Sequence, residues 1–537
     1  MRNRKLTTRL LATATAVLAM STLAQGVQAQ TRVTDPSTLD ILDVLVEKGV
    51  LTREDADSVL TEARRRTEAD AGTVRVPYVP EAVRVQIRDE IRAEVVETAR
   101  SEGWAQPGAL PAWINRVSIS GDMRVRGEQI SYGSANTPLT PDINAINADG
   151  EYYVDDVLPL RATTEDRFRA RLRARVAVDV RVNDHVEAGV RIVSGSLTDA
   201  LSTNETLTGN FDKVSIGLDR AYIRVLPFGT EGMFAGTNIV LGKFDNPFFS
   251  TELMFDGDLQ FEGAATQIRA SFGDGEGAPE LFINAGAFPL QEWEFAGQDK
   301  YLFGGQIGGA ATITAGFRLR ASAALYEFAN AQGQYNTAGQ RDNDFTAPDR
   351  VQFGNALFNI RRDNSFVNSV KFGLASEYRV AAVTAVAELD VTPSLVASIE
   401  FEGLKNLAFD EADLLARSVD PVNFPLRSSG DTAWHGSIGI GNPAASQHEA
   451  NSWRMTGTYR RLEGDATLDL FTDSDFGLGG TDQKGFIIQG SWAPLDNVWL
   501  NASWYSARTI NLLDIITGTT ALPIDVDTFM LDLNAKF

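Results

Sequence analysis

Residues Arg167–Val182 read RFRARLRARVAVDVRV, and no other stretch constrains the fold of this chain so tightly. Phe168, Ala170, Leu172, Ala174, Val176, Val178, Val180 and Val182 hold the even positions. Arg167, Arg169, Arg171, Arg173 and Arg175 hold the odd ones, followed by Ala177, Asp179 and Arg181. A helix, turning about 100° per residue, scatters those arginines around its axis and leaves no apolar face. A strand separates the two sets cleanly. The fold must therefore give one face something apolar and the other water or acids.

The same period of two recurs downstream. Val117, Ile119, Met123 and Val125 alternate with Ser118, Ser120, Asp122, Arg124 and Arg126. Val186–Ile192 follows, then Ala221–Val225, with Arg220, Tyr222 and Arg224 on its other face. Phe317, Leu319, Ala321, Ala323 and Leu325 alternate with Arg318, Arg320 and Ser322. Phe486, Ile488 and Trp492 form a late row, and Val498, Leu500, Ala502 and Trp504 another. Connections alternate in length: tight turns at Asn183-Asp184 and Thr392–Ser394, long polar segments at Glu128–Thr164, Gly195–Lys213, Ala329–Ser365, Asn406–Thr432 and Thr472–Lys484. Up-and-down tracing from Val117 gives about 16 strands. Phe366–Val391 reads as one long strand or two short ones, which leaves 18 open.

The first 29 residues have the form of a secretory signal, with Arg2, Arg4, Lys5 and Arg9 before the apolar run Leu10–Met20 and small residues at Val27 and Ala29. Cleavage there removes four of 49 basic residues, leaving 45 against 71 acids, a net charge of about −26. That balance excludes nucleic acid as a general partner. No other apolar run is long enough for a membrane helix, and the absence of cysteine excludes disulfides and thiolate chemistry. An exported soluble protein or an outer-membrane barrel remains.

Residues 30–113 read as a helical segment. Leu39, Leu42, Leu45 and Val46 repeat at helical spacing up to Gly49, and Thr52 and Asp55 stand at capping-box spacing before a second helix reaching about Glu68. After the extended link RVPYVPE, Val83, Ile87, Ile91 and Val95 stripe a third helix. Such a stripe suits a coiled coil or docking on a partner, and equally a short hairpin packed on itself.

The chain ends on Phe529, Leu531, Leu533, Ala535 and Phe537, alternating with Met530, Asp532, Asn534 and Lys536. With LDVLVEKGVLTREDAD, RVPYVPE, ALPAWINRVSISGDMRVR, STNETL, IGLDRAY, GKFDNPFFSTELMFDGDL and FTDSDFGLGGTDQKG, the sequence resembles the putative porin family of Gram-negative outer membranes. The resemblance implies an all-β transmembrane antiparallel barrel from 114 to 537, behind a signal peptide (1–29) and a small α-helical periplasmic segment (30–113). It implies passive diffusion of small hydrophilic solutes without a cofactor, a homotrimer, and contact with outer-membrane lipid and lipopolysaccharide. The terminal Phe537 resembles the signal read by the barrel assembly machinery. Physics agrees with a barrel: one arginine facing lipid near the midplane costs about 2–4 kcal/mol, so five on one strand must face water or acids.

On that reading Arg167, Arg169, Arg171, Arg173 and Arg175 line the pore about 6.6 Å apart, broadened by Arg124 and Arg126 and favouring anions. By parity the connection Asp245–Asp258 is the third extracellular loop, which in general porins folds inward. Asp245, Glu252, Asp256 and Asp258 then face the arginines across a constriction. The plainer readings are loop acids that only meet solvent and arginines that only stiffen the wall. Trp453, Tyr459, Trp492, Trp504 and Phe529 are candidates for the aromatic girdles.

Two other classes compete. An outer-membrane hydrolase needs an oriented base, and only His185, His435 and His448 exist, none beside a serine motif. A cell-wall tether would use residues 30–113 on peptidoglycan, with the barrel as anchor. Asp342–Asp344 and Asp473–Asp475 lack the glycine and distal glutamate of a calcium loop, so they read as solvated loops and no metal is expected.

Overall fold

The computed structural model describes residues 52–54, 61, 116–273, 277–294, 297–361, 369–418, 426–510 and 523–537. The signal-peptide reading of 1–29 and nearly all of the helical reading over 30–113 lie outside these residues. The barrel belongs to the unit Ala112–Phe537.

One antiparallel sheet contains seventeen strands, of which Glu205–Thr206 is a two-residue piece; the other sixteen form the wall. In chain order β1 is Val117–Tyr132, β2 Arg167–Asn183, β3 Val186–Ser194, β4 Ile216–Val225 and β5 Asn238–Asp245. Next come β6 Gln260–Ser271, β7 Glu280–Gln291, β8 Lys300–Thr314, β9 Phe317–Ala329 and β10 Tyr378–Thr392. The circuit finishes with β11 Leu395–Asn406, β12 Thr432–Gly441, β13 Trp453–Leu462, β14 Gln483–Leu495, β15 Val498–Thr509 and β16 Asp525–Lys536. Each strand pairs with its sequence neighbour, and β16 returns to β1, so no sheet edge is left open.

The Phe366–Val391 ambiguity resolves inside a loop. Phe372–Leu374 pairs with Leu357–Asn359 in a two-stranded ribbon, and only Tyr378–Thr392 joins the wall. The first polar segment also begins later than expected. Glu128–Tyr132 continues β1, because Glu128 is satisfied across the strand pair by arginines.

The outer face is apolar and exposed: Ile119, Met123, Phe168, Ile223, Ile283, Ile307, Ile399, Ile438, Met455 and Leu533 all lie on it. Such a surface needs lipid as its solvent. On the same face Trp434, Tyr459 and Phe486 make a continuous aromatic row, with centroids 5.4 and 4.9 Å apart. Trp453 stands opposite Trp492 nearer the short turns, and Trp504 opposite Phe529. The Trp434 row thus lies toward the long connections and the Trp453–Trp492 pair toward the short turns.

The last residue closes the seam. Phe537 and Gly121 exchange backbone hydrogen bonds of 2.9 and 3.0 Å. A Cβ on Gly121 would lie 2.5 Å from the Phe537 ring, so only glycine admits the ring there.

Several of the long connections fold inward, whereas 195–215 keeps Leu197, Leu207 and Phe211 exposed. A core inside the mouth joins Leu253, Met254 and Phe255 of segment 246–259 to Ile143 and Ile146 of helix α1 (Ile143–Asp149). Phe372 and Leu374 from 330–377 and Leu468 from 463–482 complete it against inward residues such as Phe244, Phe288, Tyr326 and Tyr378. Asparagine side chains tie these loops as backbone would. Asn144 Nδ2 donates to the Val351 carbonyl and its Oδ1 accepts from the Val351 N–H, both at 2.9 Å. Asn355 bonds the carbonyls of Gly464 and Thr467 and the N–H of Asp469.

Candidate functional site

The β1–β2 register sets the charge pattern of one wall. It places Asp122 opposite Arg175 and Glu128 opposite Arg169, but also Arg124 opposite Arg173 and Arg126 opposite Arg171. Like charges directly opposite repel, and the side chains resolve this by reaching for acids on either side. Glu128 takes Arg169 and Arg171, the former with Nε at 2.9 Å and the latter at 3.4 Å. Asp122 takes Arg173 and Arg175, each at 2.8 Å. Arg126 turns to β16, where it grips both oxygens of Asp532 at 2.8 and 3.0 Å and also meets Asp475 at 3.1 Å. Arg124 bonds Asn204 Oδ1 at 2.6 Å and lies 3.9 Å from Asp532. Arg167, at the rim, makes no ion pair among the described residues.

Segment 246–259 crosses the lumen. Phe249 N–H donates to Gln306 Oε1 of β8, and Gln306 Nε2 donates back to the Phe249 carbonyl, each at 2.8 Å. The Arg320 guanidinium lies 4.3 Å over the Phe249 ring. Two residues on, Thr251 donates its N–H and hydroxyl to Glu402 of β11, six strands from where the segment left the wall. Glu402 is fully buried and also accepts from Thr384 Oγ1 at 2.9 Å.

The four acids expected on this segment diverge. Asp258 meets the arginine row, with Oδ1 3.1 Å from Arg175 and 3.8 Å from Arg173. Asp245 pairs with Arg220 of β4 instead and lies 3.9 Å from Arg191. Asp256 accepts the backbone N–H of Asp258 within the segment and that of Ser474, which stitches the segment to 463–482. Glu252 lies beside Asp473, whose N–H donates to its carbonyl at 3.3 Å. Asp473 and burial together raise the Glu252 carboxyl, while burial, then Asp473, raises Asp256 to about 8.

The solvated-loop reading of Asp473–Asp475 is therefore corrected. Asp473 is buried and holds Arg460 at 2.7 Å, and Asp475 reaches Arg126. Burial works against the Asp475 anion, yet Arg126, Arg171 and Arg124 hold it below the usual carboxylate range. Sequence reasoning also passed over Asp532, Arg460 and Glu402. Their signal was the inward half of the same alternation, and what it lacked was the partner across the barrel.

Between segment 246–259 and the β10–β14 wall lies a cavity of 580 Å³, lined by carboxylates, two arginines, serines, threonines and Gln489. Of the histidines, His435 is buried on this wall with Nε2 3.3 Å from Glu400 Oε1. His185 Nδ1 is 2.9 Å from the Leu226 carbonyl in a turn, and His448 stacks on Trp499. Among the described residues no cluster of metal-ligating side chains occurs.

A closed barrel with a lipid-facing exterior, a charged interior and a segment folded across its bore defines an outer-membrane porin. The chain belongs to the family described as Putative porin, whose model matches residues 35–537. Among solved structures it is similar to the outer membrane channel DcaP of Acinetobacter baumannii, at 14% identity over 78% of this chain and 97% of that one, TM-score 0.38. OprB of Pseudomonas putida gives 9% identity, 80% and 96% coverage and a TM-score of 0.41. In-vitro-folded OmpT of Vibrio cholerae in its trimer form gives 10% identity, 78% and 99% coverage and 0.37. No curated protein sequence matches the chain.

Proposed function

We propose that the barrel passes small hydrophilic solutes by passive diffusion, along a path narrowed by segment 246–259. The observation that carries this reading is the segment itself, strung from β5 to Glu402 and back to Arg175 with a polar cavity beside it. Fixed charges on both sides of such a passage order water and disfavour apolar solutes.

The arginine row supports this role chiefly as a braced, water-facing wall. Asp122, Glu128, Asp258, Asp475 and Asp532 accompany Arg124, Arg126, Arg169, Arg171, Arg173 and Arg175. With the two signs so nearly balanced, the anion preference expected from the arginines alone is reduced to a small excess. In the same reading the long loops face the exterior and lipopolysaccharide, Phe537 serves assembly, and residues 30–113 lie in the periplasm within reach of peptidoglycan. A homotrimer would bury part of this apolar outer face, and the small residues Ala264, Ala285, Ala287, Ala321 and Ala323 on β6, β7 and β9 offer it a close-approach patch among larger residues such as Ile283 and Ile307.

Swelling of liposomes carrying the full chain tests the proposal with uncharged sugars of increasing size. Entry of small sugars with a sharp size limit is expected; liposomes that stay tight to all of them contradict it.

A further inference from the structure

The geometry points to a binding site in the lumen for small zwitterions, molecules such as amino acids that carry one ammonium and one carboxylate. The inference rests on the diffusion-channel reading and names a solute class for it.

Most charges around the cavity already have partners. Glu388 meets Arg318 at 3.2 Å, Arg460 meets Asp473, and Asp245 meets Arg220. Two do not. Glu400 has no arginine or lysine within ion-pair distance among the described residues, and its one charged-group neighbour is the His435 ring. Arg454 has no carboxylate within that distance among the described residues; its Nη2 donates to Ser398 Oγ at 2.6 Å. One anion and one cation therefore stand open on the same cavity wall.

Backbone register brings them close. Arg454 belongs to β13, yet its guanidinium reaches over β12 to Ser398 on β11. Gly439 makes that reach possible: a Cβ there would lie 2.6 Å from Ser398 Oγ and 3.1 Å from Arg454 Nη2. Ser398 and Glu400 are successive inward residues of one strand, about 6.6 Å apart. The Arg454 guanidinium, held at Ser398, and the Glu400 carboxylate thus occupy neighbouring inward positions, an arrangement suited to the two ends of an amino acid or short peptide. No ion pair joins them among the described residues, so each keeps hydrogen-bonding capacity for a solute.

His435 lies beside the same carboxylate, Nε2 3.3 Å from Glu400 Oε1. It is 3% exposed, lines the cavity, and neither ring nitrogen makes a well-formed hydrogen bond. A buried polar group without a partner is costly, and a solute arriving at Glu400 would supply one. A solute with a single charge satisfies only half of the pair, and an uncharged one satisfies neither.

The test uses the full chain in liposomes, with labelled serine and labelled glycerol as probes. Serine entry is expected to saturate at millimolar concentration, while glycerol entry rises linearly. Glu400→Gln and Arg454→Gln should each raise the half-saturating serine concentration by roughly tenfold, the scale of one charge-assisted hydrogen bond. Arg508→Gln, in an exposed pair with Asp525 away from the cavity, should leave it unchanged. Glycerol entry through each variant reports that its barrel has assembled; should one fail to assemble, wild-type saturation and the other variant decide. Serine entry that stays linear in the wild type, or saturation untouched by both substitutions, overturns the site while leaving the channel intact. Liposomes closed to both probes overturn the channel reading beneath it.

Discussion

Asp258 joins the segment that crosses the bore to the arginine wall, its Oδ1 3.1 Å from the Arg175 guanidinium. Both side chains are less than one-fifth exposed, so the contact is stronger than a surface ion pair. Asp258→Asn should weaken this anchor by about 1–2 kcal/mol and increase open-channel current noise. Arg175→Gln should do the same, and the double variant should add little to either. Additive effects would show that the two residues act separately.

Arg126 and Asp532 form the buried pair that ties β1 to β16. Removing one partner of such a pair leaves an unmatched charge and costs about 3–5 kcal/mol. Asp475 remains beside Arg126, so Asp532→Ala should fall at the lower end. A drop in the temperature at which the folded barrel unfolds on a semi-native gel is the expected result. An unchanged temperature would mean that the seam does not depend on this pair.

The contact between segments 246–259 and 463–482 should respond to pH. Asp256 is raised to about 8 and Glu252 is raised as well, so the closed contact holds protons that a free loop releases. Because the closed state binds more protons between about pH 4 and 8, it is most stable at the acid end. It loses that stability as pH rises through about 8. Mean conductance and noise should therefore increase from about pH 6 to pH 9, and the paired substitutions Glu252→Gln and Asp256→Asn should flatten the response. A conductance that falls over this range would contradict the assignment.

The barrel was legible because lipid on one side and charge on the other force a strict alternation. Arg167–Val182 and the closing strand both carry it undisturbed. Less legible was the mouth. The resemblance brings segment 245–258 inward, but the burial of Phe248, Leu253, Met254 and Phe255 depends on Ile146, Phe372 and Leu468, which lie far off in sequence. The acids illustrate the same limit. That acids of segment 245–258 face the arginines was implied only by the resemblance to porins, and Glu252 lying beside Asp473 depends on two loops converging. Glu402 sat in an ordinary alternating strand, and its bond to Thr251, arriving from six strands away, had no sign in its own neighbours.

Outer-wall small residues carry the oligomer prediction. Ala264→Trp together with Ala287→Trp should convert a detergent-solubilised trimer to monomer by light scattering while the barrel stays folded. A trimer that persists places the interface elsewhere.

Single-channel recording in planar bilayers tests the central claim most directly. The full chain should give stable, ohmic steps, and a variant lacking residues 247–255 should give larger steps and admit larger sugars. Bilayers that remain silent, or steps of identical size with and without the segment, would contradict a pore narrowed by it.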